Sequence, residues 1–277
     1  MIPRIIHHIW IDKNNEYNAN PIIPPNFKIW MSSCTKITGY QRILWTGIKM
    51  RNFIANYFPN FLEMYDHYPS WIMRCDAFRY FVLYQMGGVY LDADIECLAP
   101  FENELNKSTG CLLTEEFLET FSIINAIMAS KSRHPFFKYL IEQLPFSAAH
   151  DDPLYATGPR FLTYYYLKFP QKDLITLINN PSIFVYPYQL VTPNECIKNS
   201  CYIKQYTLHH LTGTWKSPEP FSISSDDISA TDQYIRPNFS DPSYHIPVSH
   251  STNYIIIILL LLILFISIFL LFSLPYL

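Results

Sequence analysis

Two carboxylates, Asp92 and Asp94, follow directly on the apolar run Val89-Tyr90-Leu91. A short buried strand is predicted there. In an extended segment, side chains two residues apart point to the same side. Both carboxylates would then face one way at the carboxyl end of a strand, where open α/β sheets hold their ligands. Such a pair suits a hard divalent cation, which can bridge diphosphate oxygens and neutralise a leaving group. Taken alone, Asp-x-Asp is a common acidic turn.

The segment before it adds weight. Ser70 to Gly88 reads SWIMRCDAFRYFVLYQMGG and predicts a helix capped by Ser70, running to Met86 and stopped at Gly87-Gly88. At about 100° per residue, Arg74 and Gln85 fall within about 20° of each other. Asp76 and Arg79 lie about 60° apart on another part of the wheel. One solvated stripe accounts for one polar cluster, not for two. Asp76 and Arg79 form either a surface i,i+3 ion pair or part of a polar site beside the strand end. With Asp92 and Asp94 nearby, the second reading is preferred.

The elements that must position these groups alternate. Residues 2–10 predict a strand and Asp12 to Pro25 a polar, Pro-rich loop. Tyr40 to Trp45 predicts a second strand and Arg51 to Tyr65 a helix. Beyond the acidic pair, Cys111 to Thr114 predicts a strand, and Ile123 to Met128 and Pro135 to Leu144 predict helices. This pattern predicts an α/β fold, a mainly parallel sheet with flanking helices. The stretch from Ser217 to His250 is rich in Ser, Asp and Pro and predicts a linker. Tyr254 to Leu274 is uncharged and apolar, and as a helix it spans roughly 31 Å, about one bilayer core. A single C-terminal membrane anchor is expected. The start, MIPRIIHHIW, has no long apolar targeting segment. A cytosolic domain is then the simplest topology, with a lumenal one left open. Asn106-Lys107-Ser108 and Asn238-Phe239-Ser240 are glycosylation acceptors if lumenal.

Composition closes other routes. The formal net charge is −3 and no Lys/Arg block occurs, which argues against nucleic-acid binding. The six cysteines make no paired C-x-x-C modules, so a zinc site is not expected. Cys196 and Cys201 could pair in an oxidising lumen. Cys34, Cys75, Cys97 and Cys111 are read as free buried thiols.

The run from Arg74 to Tyr80, with Leu83-Tyr84 and Gly87 to Asp94, resembles the DXD sugar-binding glycosyltransferases. That family includes the yeast-type initiating mannosyltransferases and the inositol phosphoceramide mannosyltransferases. It is more distantly similar to the glucosyltransferase domains of large clostridial toxins. Phe61 to Tyr65 with Tyr68-Pro69 looks closest to the inositol phosphoceramide branch. Ile2 to Trp10 resembles the family's opening strand, and Asn125 with His134 to Phe137 its middle. Thr157-Gly158-Pro159 matches its T-G-P block, and His209 to Trp215 its closing H-H-x-x-G-S-W motif. Asp12 stands where the family commonly has Gly, and Thr214 where it has Ser.

The resemblance covers about residues 2–216. It implies a catalytic domain over 1–216, to which the composition adds a linker over 217–253 and a transmembrane helix over 254–274. It also implies a Rossmann-like GT-A fold and retention at the anomeric carbon. Asp94 would hold the metal, and Asp92 would contact the ribose. Asp76 and Arg79 would grip sugar hydroxyls, and Trp10 would stack on the nucleobase. His210 would complete the metal shell, with His209 the second choice, and Trp215 would reach the diphosphate. An imidazole ligand favours Mn²⁺ over Mg²⁺. The implied donor is GDP-mannose, with a UDP-hexose as alternative. The implied acceptor is a lipid such as inositol phosphoceramide, or a glycan, at a Golgi or ER membrane. Two rivals stand: a glycan- or protein-directed transferase using a UDP-sugar, and a non-catalytic relative that binds sugar nucleotides.

Overall fold

The computed structural model describes residues 1–116, 121–178, 184–185, 206–210 and 212–213. The expected linker, the Tyr254–Leu274 anchor, Cys196, Cys201, Asn238, Thr214 and Trp215 lie outside these residues. Among the described residues, no helix is long and apolar enough to cross a membrane.

The chain opens with strand β1 (Ile5–Ile9), helix α1 (Pro25–Thr38), β2 (Gln41–Trp45) and α2 (Gly47–Tyr57). The short α3 (Leu62–Asp66) leads to α4 (Trp71–Gln85), β3 (Gly88–Leu91), β4 (Ile95–Cys97) and α5 (Glu102–Lys107). Then come β5 (Cys111–Glu116), β6 (Ser122–Ser130), α6 (Pro135–Ser147), α7 (Pro153–Ala156) and α8 (Pro159–Lys168). Strands β7 (Thr176–Ile178), β8 (Phe184–Val185) and β9 (Thr207–His209) complete the described part.

The main sheet has the order β2-β1-β3-β6-β5-β7, and a smaller one the order β4-β9-β8. In the main sheet, β1 pairs in parallel with β2 and β3, and β5 with β7. The β3–β6 and β6–β5 pairs are antiparallel. The sheet is therefore mixed, with parallel pairs ahead by one.

The antiparallel centre is where expectation and structure part. Ile123 to Met128, expected as a helix, is the heart of β6. All nine residues of β6 are buried. A strand covered on both faces shows no period-two alternation, so its apolar run cannot be told from a buried helix by pattern. Helix α1 was also not anticipated. The helix expected over Arg51 to Tyr65 is broken at Pro59, where a short 3₁₀ turn separates α2 from α3. Ser70 does precede α4, but its side chain makes no capping hydrogen bond.

Two histidines fasten β1 to the strand that carries the acidic pair. Trp45 Nε1 donates to His7 Nδ1 at 3.1 Å, so Nε2 carries the proton and donates to Gly87 O at 2.8 Å. Burial lowers the His7 pKa to about 4, which keeps this neutral form at physiological pH. His8 Nδ1 donates to Leu91 O at 2.9 Å, one residue before Asp92, and burial lowers its pKa to about 3. Gly88 makes room for this. Its φ is +102°, and a Cβ there would stand 2.7 Å from Ile5 O and 2.9 Å from His7 Nε2.

Helix α4 is buried from Met73 through Leu83 apart from Arg74, and it lies in the aromatic core with Phe53, Phe58, Phe136 and Phe161. Burying a side chain such as Phe78 or Phe81 contributes about 1.5–3 kcal/mol. An apolar helix so enclosed has little freedom to rotate, which fixes where Asp76 and Arg79 point.

The cysteines correct the expectation of four free thiols. Cys34 of α1 and Cys97 of β4 form a disulfide with Cα atoms 4.6 Å apart. Cys75 and Cys111 are free and buried. The 63-residue separation of the bonded pair hid it in the sequence.

Candidate functional site

The chain leaves β3 at Leu91 through a tight turn. Asp92 N still donates to Ala126 O of β6, and Ile95 N donates back to Asp92 O at 3.1 Å. The turn, rather than continued strand, brings the two carboxylates together. It then feeds β4, which pairs antiparallel with β9, setting Ile95 opposite His209.

That pairing delivers a third group. Ligand atoms of Asp92, Asp94 and His209 all lie within 4.8 Å of one another. His209 Nε2 is 3.3 Å from Asp94 Oδ1. Thr212 closes on the other oxygen, its N and Oγ1 donating to Asp94 Oδ2 at 3.1 and 2.9 Å. Burial pushes the Asp94 carboxyl up. The hydrogen bond and charge of His209, joined by the Thr212 donors, outweigh it and lower the pKa to about 2. Two oxygens and an imidazole nitrogen, with one carboxylate held ionised, form a donor set that fits a divalent cation such as Mn²⁺.

Asp92 connects this cluster to a second one. Its Oδ1 accepts from Tyr90 Oη at 2.7 Å and lies 3.2 Å from Arg79 Nη2. Burial raises the Asp92 pKa, Arg79 opposes that, and the neighbouring Asp94 charge adds to it. Arg79 also meets Asp76 Oδ1 at 3.0 Å, donates through Nη1 to Asn125 O at 2.9 Å, and lies 4.7 Å from the centre of the Tyr90 ring. Asn125 Nδ2 donates to Asp76 Oδ1 at 3.0 Å. Asp76 and Arg79 are each only 5% exposed, which excludes a surface ion pair.

Burial raises the Asp76 pKa to about 6 against the pull of Arg79. Arg79 Nε and Thr157 Oγ1 are buried without a protein hydrogen-bond partner. Buried donors and acceptors of this kind usually signal a ligand, ion or water that completes them. The Thr157-Gly158 segment lies against Asp76, and a Cβ on Gly158 would stand 3.3 Å from Asp76 Oδ2.

Trp10 directly follows β1, donates through Nε1 to Ile22 O at 3.0 Å and packs on Phe27 with ring centres 4.6 Å apart. His210 does not join the carboxylates. Its ring stacks on Trp30 at 3.9 Å and 15°, and its Nε2 is 3.0 Å from Glu96 Oε2. Adjacent residues of a strand point to opposite faces, so only one of the His209-His210 pair can reach Asp94. In this structure it is His209. Trp215 lies outside the described residues. Arg74, expected on a solvated stripe, chelates Glu16 with contacts of 2.7 to 3.1 Å.

Thr212, Tyr90 and Glu96 were not anticipated. The partners of Thr212 and Glu96 are 118 and 114 positions away along the chain, so nothing in their spacing marks them. Tyr90 reaches Asp92 only two positions on, and that i,i+2 spacing was a signal that could have found it. The role of Asn125 in joining Asp76 to Arg79 was equally hidden.

A family profile described as "Glycosyltransferase sugar-binding region containing DXD motif" matches residues 25–111, which includes Asp76, Arg79, Asp92 and Asp94. An uncharacterised glycosyltransferase of Acanthamoeba polyphaga mimivirus is 31% identical over 215 residues, covering 73% of this chain and 81% of that protein. The chain belongs to the DXD glycosyltransferase family. Within that family, inositol phosphoceramide mannosyltransferase 3 of Schizosaccharomyces pombe is 37% identical over 168 residues, 58% of this chain and 44% of that protein. The chain spans about half the length of the inositol phosphoceramide mannosyltransferases it matches. Among solved structures, apo mouse xyloside xylosyltransferase 1 overlaps 76% of this chain and 98% of its own, with a TM-score of 0.45 and 10% identity.

Proposed function

We propose that this DXD glycosyltransferase is a retaining, Mn²⁺-dependent mannosyltransferase of GT-A type. It takes GDP-mannose as donor and a membrane-associated acceptor, inositol phosphoceramide being the favoured one. The observation that carries this is the direct junction of two clusters: the Asp92/Asp94/His209 donor set and the buried Asp76–Arg79–Asn125 network, joined by the contact of Arg79 with Asp92. Such a site can hold a diphosphate at one end and a polyol at the other. The named relatives that are inositol phosphoceramide mannosyltransferases support the donor and acceptor.

In this reading Asp94, His209 and Asp92 hold the cation, which supplies charge neutralisation for the departing diphosphate. Asp76 accepts hydrogen bonds from sugar hydroxyls through the oxygen not engaged by Asn125 and Arg79. Arg79 supplies a fixed positive charge and its free Nε–H beside the ring. Asp92 reaches the ribose, Trp10 stacks on the base, and Trp215 closes on the diphosphate. Hydrogen bonds aimed before the reaction need no rearrangement as charge develops. No protein nucleophile is assigned, and in this reading the acceptor's proton passes to the leaving phosphate.

The domain is proposed to face an oxidising lumen of the Golgi or ER, tethered by the Tyr254–Leu274 segment. The Cys34–Cys97 bond supports this, since such bonds persist in oxidising compartments. Turnover assays with GDP-mannose, UDP-glucose and UDP-galactose in Mn²⁺, with inositol phosphoceramide as acceptor, test the reading. Preference for a UDP-sugar would transfer it to the glycan-directed alternative. Tight Mn²⁺-dependent nucleotide binding without turnover would leave a non-catalytic binder.

A further inference from the structure

His210 is the residue that the carboxylate cluster leaves unused, yet its side chain makes two contacts of its own, with Glu96 and with Trp30. Glu96 of β4 pairs with Leu208 of β9, so Glu96 and His210 share one face of the ladder. On that face His210 Nε2 meets Glu96 Oε2 at 3.0 Å, and the imidazole lies flat on the Trp30 indole. Trp30 belongs to α1. Three and four residues on, the same helix holds β4 twice more: Ser33 Oγ accepts from Cys97 N at 2.9 Å, and Cys34 is bonded to Cys97. Residues 30, 33 and 34 occupy one face of a helix. That face therefore grips β4 and the residue that follows β9.

The grip answers a specific weakness. Strand β9 has three residues. It ends at His209 with a second histidine, His210, directly after it, and a slip of one residue exchanges the faces of every side chain on a strand. A slip would present His210 to Asp94 and move Thr212 off its oxygen. A short ladder offers few hydrogen bonds to prevent this. The Trp30 stack and the Glu96 contact exist in only one register.

We propose that Trp30, Glu96 and His210 are positioning residues, which hold β9 in the register that aims His209 and Thr212 at Asp94. The inference rests on the metal reading above for its consequence, but not for its geometry. Removing His210 lets the segment 209–212 sample other registers, so the cation site forms in only part of the population.

Two measurements on the full chain test this: Mn²⁺ binding alone by electron paramagnetic resonance, and amide exchange without metal. In His210→Ala, the Mn²⁺ dissociation constant rises about 10- to 100-fold, the range typical of outer-shell partners. The amides of His210 and Thr212, which donate to Asp94 in this structure, exchange faster, while those of α4 keep their protection. Trp30→Leu, which removes the stack but leaves the Glu96 contact, moves both readouts the same way by less. His210→Gln, which can still donate to Glu96 but cannot stack on Trp30, restores part of both. Wild-type Mn²⁺ affinity and wild-type exchange in His210→Ala would overturn the inference. If α4 also loses protection in His210→Ala, the fold has failed and His210→Gln against Trp30→Leu decides. If the wild-type chain binds no Mn²⁺, the metal reading fails, and unchanged exchange at 210 and 212 would then sink the positioning role as well.

Discussion

Arg79 joins the two clusters, so its removal should uncouple stability from activity in a calculable way. In Arg79→Met a flexible apolar chain replaces the guanidinium in a pocket where Arg79 is 5% exposed. Asp76 loses its partner at 3.0 Å and Asp92 one at 3.2 Å. Breaking a buried pair by removing one member costs about 3–5 kcal/mol. For a domain of this size each kcal/mol corresponds to about 2–4 °C, so Tm at pH 7.5 should fall by about 6–20 °C.

The loss should depend on pH. Burial already raises the Asp76 pKa to about 6, above the usual 3.8. A carboxyl raised in the folded state favours folding below its unfolded pKa, and that stability falls as pH rises towards the folded pKa. In the wild type this group lowers stability by about 3 kcal/mol between pH 4 and pH 6. Without Arg79 the folded pKa moves further up, and the decline continues towards neutrality. Thermal melts should therefore bring Arg79→Met close to wild type at pH 5 and well below it at pH 7.5. The double variant Arg79→Met/Asp76→Asn should regain most of the stability but no transferase activity. Equal melting of Arg79→Met and wild type at pH 7.5 would refute the buried-pair reasoning.

Other outcomes follow from the same geometry. Transferase activity should decline as pH falls below about 6, because Asp76 then takes up a proton and loses its ability to accept sugar hydroxyls; a pH–rate profile reads this directly. In the denatured chain without reductant, alkylation should modify Cys75 and Cys111 but spare Cys34 and Cys97, as mass spectrometry would show. If the domain is lumenal, full-length protein from a eukaryotic host should shift in mobility on deglycosylation, with Asn106, exposed on α5, as one acceptor. Gly47→Ala should lower Tm and weaken nucleotide binding. A Cβ there would fall 1.8 Å from Glu16 O and must push away the loop between Trp10 and α1.

Much of the site was legible because its key residues are close in sequence. Asp76 to Asp94 is one helix, one glycine turn and one strand, and helical spacing was enough to separate the Asp76/Arg79 cluster from Arg74. What could not be read depends on long-range pairing. The choice between His209 and His210 requires the register of β9 on β4. The Cys34–Cys97 bond requires the placement of α1 against β4. Strand β6 lost its period-two signature because both its faces are covered, so its antiparallel place at the sheet centre was hidden too. The Arg74–Glu16 contact shows the limit of the helical wheel, since a loop from elsewhere in the chain covers what an isolated helix would expose.

The central claim is that Asp94 anchors a cation on which donor chemistry depends. The most direct measurement is Mn²⁺-dependent release of mannose from GDP-mannose by wild type and by Asp94→Ala, with folding of the variant verified by its melt. The wild type should turn over and chelation should abolish this, and the variant should lose activity by at least about 100-fold, the scale seen when a single electrostatic contact to a transition state is removed. Near-normal turnover by Asp94→Ala in Mn²⁺ would contradict it.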